Sequence, residues 1–142
     1  HVFGAATPER IWLSDHICSA LQVVEHLQDV GEDYARGRVY MPRQDMARFG
    51  CEETELADAA VTPQLRELLA FETARARGML DAGAPLARTL PPRQRLAVAG
   101  FVAGGRSALD ALERAGYEVL GGRPRPSRRS FARRWLEAVI AR

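Results

Sequence analysis

The stretch that decides the fold is residues 21–42, LQVVEHLQDVGEDYARGRVYMP. Its apolar residues recur with a helical period. Ala20, Val23, Val24, Leu27 and Tyr34 fill one arc, while Asp15, Gln22, Glu25, Asp29 and Asp33 form an opposing stripe about 80° wide. The acids crowd the last turns, where the helix dipole disfavours a carboxylate by about 0.3–1 kcal/mol. Asp29 and Asp33 add a like-charge pair at i,i+4, and no basic residue on the stripe relieves them. A solvated acidic face accounts for the periodicity alone. A hard divalent cation accounts for the uncompensated charge, because Mg²⁺ is commonly held by one or two carboxylates together with phosphate oxygens and water.

Working outward, the first helix is expected from a cap at Ser14 or Asp15 to about Ala35, with Gly37 and Pro42 ending it. The polar residues 43–60 should contain one short helical turn closed by Gly50. Thr62-Pro63 is a strong start signal, a cap followed by proline at the first helical position. It opens a helix whose apolar stripe is Leu65, Leu68, Leu69, Ala76, Met79 and Leu80. Pro91-Pro92 opens the last long helix, to Gly116 or the Gly121-Gly122 pair. Gly100, Gly104 and Gly105 inside it weaken the helix and point to close packing against a neighbour or a ligand. A short amphipathic helix, FARRWLEAVIAR, closes the chain. No segment alternates with period two, so the chain reads as a single all-α unit over residues 1–142.

The 142 residues suffice for one core. All basic residues are Arg, and from Arg123 onward seven stand against one acid, Glu137. Such an end can bind nucleic acid or an anionic membrane, but a solvated final helix after a Pro-rich linker is the favoured reading of the charge, and no nucleic-acid partner is expected. Cys18 and Cys51 form no C-x-x-C pair, His16 and His26 lack zinc-ligand spacing with them, and Ser14, Asp15 and His16 are too adjacent to be a hydrolase triad. Trp12 and Trp135 read as packing residues at helix ends. With no signal peptide and no apolar run of spanning length, a cytoplasmic protein is expected, at most peripheral at the inner membrane. The apolar opening HVFGAATPERIW looks like the tail of an earlier element, and residues are expected to precede His1.

The 21–42 stretch also resembles the second aspartate-rich region of the squalene/phytoene synthase family. Gln22, Asp29, Asp33, Gly37, Arg38, Tyr40 and Pro42 match that pattern, and GGRSALDALERAGYEVLGGRPRPS resembles the family's closing helix. Glu25-His26 and Gln28 are most similar to the bacterial hydroxysqualene synthase branch of hopanoid biosynthesis. The resemblance implies the C-terminal portion of an all-α isoprenoid synthase (terpenoid synthase-like) fold, with the first aspartate-rich motif upstream of His1. It further implies Mg²⁺ as cofactor, Asp29 and Asp33 as catalytic metal ligands with Glu25 beside them, and Gln22, Glu25, Gln28 and Arg38 toward the substrate diphosphate. The substrate would be presqualene diphosphate ionised to hydroxysqualene, or farnesyl or geranylgeranyl diphosphate joined head to head. The missing N-terminal half would be the obligatory partner. A non-catalytic helical fragment is the rival from another class. Glu25 stands where the wider family usually has Asn, and Gln28 where it often has Arg, so this chain carries more negative charge at the site.

Overall fold

A computed structural model describes residues 6–140, and among them every regular element is helical. The order is α1 (Pro8–Gln28), α2 (Val30–Ala35), α3 (Arg43–Phe49), α4 (Pro63–Gly83), α5 (Pro92–Arg114) and α6 (Arg128–Ile140), with 3₁₀ turns at Glu53–Ala57 and Ala84–Thr89. The opening residues 1–5, expected to end an earlier element, lie outside the described part.

Two boundaries of the first helix differ from expectation. It begins at Pro8, with the Thr7 hydroxyl accepting from the Arg10 amide, so Ser14 and Asp15 lie mid-helix. Thr7-Pro8 is the same cap-plus-proline signal that opens α4, where Thr62 accepts from the Leu65 amide. The helix also breaks at Asp29, whose backbone (φ −109°, ψ 14°) caps both α1 and α2. Glu32 and Asp33 therefore sit in the first turn of α2 and not in the last turn of a long helix. There the partial positive charge of the amides favours them. Beside the break, Gly31 lets the chain at Leu120 pass close: a Cβ would meet the Leu120 backbone at 3.2 Å.

The core lies where α1, α4 and α5 meet. Leu65, Leu68, Leu69, Leu80, Leu109 and Leu112 are fully buried there with Ala20, Val24 and Leu27, each large side chain contributing about 1.5–3 kcal/mol. The expected stripe on α4 is this core face, with Met79 half-buried at its edge. α3 ends as expected at Gly50, in the left-handed conformation (φ 68°). The terminal helix starts three residues earlier than expected, with the Ser127 hydroxyl accepting from the Ser130 amide. Trp12 is not a packing residue: it is 54% exposed, with its ring against His16. Cys18 is exposed and Cys51 buried, both free.

The glycines of α5 divide. Gly105 is a true close approach, since a Cβ there would press on Leu80 at 2.8 Å and Leu21 at 2.9 Å. Gly100 has nothing within 4 Å, and Gly104 would meet only the Phe131 ring, at 3.9 Å. The tightest glycine is on α4: a Cβ at Gly83 would lie 2.6 Å from Ile17 and 2.7 Å from the Leu13 carbonyl of α1. Gly83→Ala should therefore destabilise by about 1–3 kcal/mol, the usual cost of overpacking. Gly78→Ala, in the same helix with nothing within 4 Å, should stabilise by about 0.5–1 kcal/mol. Urea unfolding of both variants reads the sign directly, and equal effects would contradict this packing.

Candidate functional site

The acidic stripe emerges on the open side of α1. Asp15, Gln22 and Glu25 are exposed, Asp29 and Asp33 partly covered, and the opposing Ala20, Val24 and Leu27 buried. Three of the expected site residues are placed apart from Asp33 and Arg38. Gln28 is buried: its side-chain amide donates to the Pro124 carbonyl at 2.8 Å, and its oxygen accepts from Arg123 at 3.1 Å. It clips the segment after α5 across the end of α1. Glu25 and Gln22 stay on the exposed stripe, away from the cavity described below.

Counter-charge for the two aspartates does exist, but it comes from outside the stripe. Arg38, reached through the turn at Gly37 (φ 72°), donates to Asp33 Oδ1 at 2.9 Å. His26 Nδ1 stands 3.9 Å from Asp33 Oδ2. Arg123 donates to Asp29 Oδ2 at 3.4 Å. The remaining oxygen, Asp29 Oδ1, is buried without a hydrogen-bond partner. A buried carboxylate oxygen left unpaired is costly, and a cation ligated there would remove that cost. Among the described residues no three His, Cys, Asp or Glu side chains gather as a closed metal cage. The donor set thus fits a cation that brings water and phosphate oxygens with it, as Mg²⁺ does.

Asp33 and Arg38 also open onto a cavity of about 180 Å³ between α1, the 38–42 segment and α4. Val23, Leu27, Val30, Leu56 and Met79 make its apolar wall, and the His26 and Tyr40 rings, stacked 4.0 Å apart, form part of the lining. Asp29 does not line it. Glu72 and Arg75 complete it from α4. Burial pushes the Glu72 carboxyl above its ordinary range, hydrogen bonding with Asp45 pushes the same way, and Arg75 at 3.6 Å opposes both. Sequence reading missed Glu72, although the signal was present: it occupies a core position of the α4 stripe, between Leu69 and Ala76. Arg123 carried no comparable signal, because its partner Asp29 is 94 residues away.

An all-helical unit with a paired-aspartate motif on an open helix face is the class these features define. The squalene/phytoene synthase family pattern matches residues 1–130, so the chain belongs to the squalene/phytoene synthase family. It is 36% identical over 104 residues to a phytoene synthase of Arthrospira platensis, covering 73% of this chain and 34% of that protein. It is 38% identical over 74 residues to a hydroxysqualene synthase of Sinorhizobium fredii, covering 51% and 25%. In structure it is similar to squalene synthase HpnC from Alicyclobacillus acidocaldarius, with TM-score 0.78 and 38% identity over 82% of this chain and 44% of that one. The helical fold is that of the isoprenoid synthases. The chain spans less than half the length of these relatives.

Proposed function

We propose that the chain is the C-terminal part of a synthase acting on prenyl diphosphates, with α1 and α2 supplying one of two acidic walls. The observation that carries this reading is Asp29, whose buried, unpartnered oxygen lies on the motif that matches the family. Asp29 and Asp33 would hold Mg²⁺, with Glu25 one turn away as a further ligand on the exposed stripe. Bound Mg²⁺ supplies positive charge against the diphosphate as it departs. Arg38 orients Asp33 and offers a donor to diphosphate oxygens, Gln22 is placed to hydrogen-bond water or diphosphate at the stripe, and Gln28 acts indirectly by fixing the 123–124 segment.

For the reaction, we favour ionisation of presqualene diphosphate to hydroxysqualene, because Glu25-His26 and Gln28 follow that branch. Head-to-head condensation of two prenyl diphosphates is the second reading, supported by the phytoene synthase among the relatives. Both need an apolar chamber closed by an upstream half. No helix among the described residues is long and apolar enough to cross a membrane, which agrees with a cytoplasmic enzyme, at most peripheral at the inner membrane. The test is to incubate the 142-residue chain with presqualene or farnesyl diphosphate and Mg²⁺, alone and with a separately expressed upstream half. Released diphosphate and new lipid product are expected only with the complement. Turnover by the chain alone would overturn the half-enzyme reading.

A further inference from the structure

The charges around the cavity between α1, the 38–42 segment and α4 do not balance on the α4 side. Asp33 is served there by Arg38, with His26 close by. On the α4 side one guanidinium serves two carboxyls: Arg75 stands 3.6 Å from Glu72 Oε1 and 3.6 Å from Asp45 Oδ2 of α3. Glu72 is 3% exposed, and its Oε1 is buried without a hydrogen-bond partner. Asp45 is largely covered too, while over half of the Arg75 side chain stays in water. With both carboxyls ionised, this set is one positive charge short. A proton supplies it at rest. Burial, hydrogen bonding with Asp45 and the Asp45 charge all raise the Glu72 carboxyl, against the pull of Arg75.

The walls decide what else can supply that charge. The cavity holds about 180 Å³ and is faced by Val23, Leu27, Val30, Leu56 and Met79, and about 150 Å³ is room for a benzene-sized molecule. A hard metal ion takes about six or more oxygen ligands, which these aliphatic walls do not offer. An anion would meet carboxyls already short of counter-charge. A neutral apolar molecule would cover the walls and leave Glu72 Oε1 unpaired. A short alkylammonium meets both demands, because its head donates to the buried carboxyl while its chain lies on the aliphatic side chains.

We propose that this cavity binds a small primary aliphatic ammonium ion through the Glu72 carboxylate. The Glu72 proton passes to solvent as the ligand enters. Charge balances throughout: protonated Glu72, ionised Asp45 and Arg75 sum to zero, and so do two carboxylates, Arg75 and the ammonium. Glu72, Asp45 and Arg75 have no part in the prenyl-diphosphate reading, and the measurement uses neither Mg²⁺ nor diphosphate, so either proposal can fail alone. The purified chain is titrated calorimetrically with n-butylammonium, in two buffers of different ionisation heat, which counts the protons released. n-Butanol and butyrate are the neutral and anionic controls. Millimolar binding is expected from so few atoms, at least about tenfold tighter than n-butanol. Affinity should rise by up to about tenfold per pH unit while Glu72 holds its proton, since one proton leaves per ligand bound. His26, Asp33, Arg38 and Tyr40 face the same cavity, so His26→Gln is run in parallel and should keep both the binding and the proton release. Glu72→Gln, which keeps the shape of a protonated carboxyl, should lose about tenfold in affinity and all of the proton release. Methyl-labelled methionine spectra locate the ligand without any variant. Met41 and Met79 line the cavity and Met46 does not, so the first two signals should move and the third should stay. The proposal is overturned by n-butanol binding as tightly, by ammonium binding without proton release, or by unaltered binding to Glu72→Gln. Absence of binding, or Met41 and Met79 signals that do not move, would overturn it equally.

Discussion

Asp33→Asn and Asp29→Asn, each made in a synthase complete with its upstream half, should lower Mg²⁺-dependent turnover by about 10²–10³-fold, the loss that follows removal of one group stabilising developing charge. The amide keeps the shape of the carboxylate but gives up its charge and much of its affinity for a hard cation. Neither side chain is part of the apolar core, so the fold should change little, and thermal unfolding of the variants should stay close to the parent. The two positions are also separable. Asp33→Asn removes the charge that Arg38 and His26 face across the cavity, whereas Asp29→Asn leaves that cavity lining unchanged. Steady-state rates over a Mg²⁺ titration provide the measurement. Near-parent activity in either variant would end the metal assignment for that residue.

The second large effect concerns stability. Asp110 is buried and receives Arg134, Arg77 at 3.2 Å and Ser130. Asp110→Ala leaves the guanidiniums of α4 and α6 without their shared carboxylate. Breaking a buried pair on one side costs about 3–5 kcal/mol. Arg134 and Arg77 each keep a quarter of their side-chain surface in water, so the lower end of that range is expected, read by urea unfolding. The pH dependence has a definite sign. Burial alone would raise the Asp110 carboxyl, but the hydrogen bonds and charges of Arg134 and Arg77 outweigh it and hold the group below its ordinary range. A carboxyl depressed in the folded state stabilises fully above its unfolded pKa of about 3.9 and loses that contribution as pH falls through the folded value. The parent should therefore lose stability below about pH 4 more steeply than Asp110→Ala. Parallel acid profiles would show that this carboxylate does not hold α6.

How much of this was legible in the sequence follows from the range of each interaction. The caps at Thr62-Pro63, the stop at Gly50 and the apolar stripe of α4 are decided within a few residues, and the structure has them as read. Thr7-Pro8 is an equally local signal, and Ser14 and Asp15 compete with it as caps only in a reading that starts the helix later. The break at Asp29 was not legible: it lies beside Gly31, where the Leu120 backbone passes close, and that contact joins distant parts of the chain. The unpaired look of the acidic stripe had the same cause: Arg123 and Arg38 arrive from outside the helix. Gln28 has a polar side chain whose partners lie in the 123–124 segment, so helical spacing could not tell a substrate ligand from a structural clip. Trp12 shows the opposite limit, since a large aromatic near a helix end packs only if something is there to receive it.

The Arg123–Asp29 contact has a thermodynamic consequence. It makes the guanidinium a resident competitor for the carboxylate. Any cation that takes Asp29 in bidentate fashion must displace it, so the affinity measured is the intrinsic one scaled by the fraction of time the arginine is away. Because Gln28 accepts from the same guanidinium and donates to Pro124, that fraction is set by the grip of the whole 123–124 segment and not by one ion pair. A change far along the chain that loosens this segment would thus sharpen cation binding on α1 without touching a ligand, and one that tightens it would blunt binding by the same arithmetic.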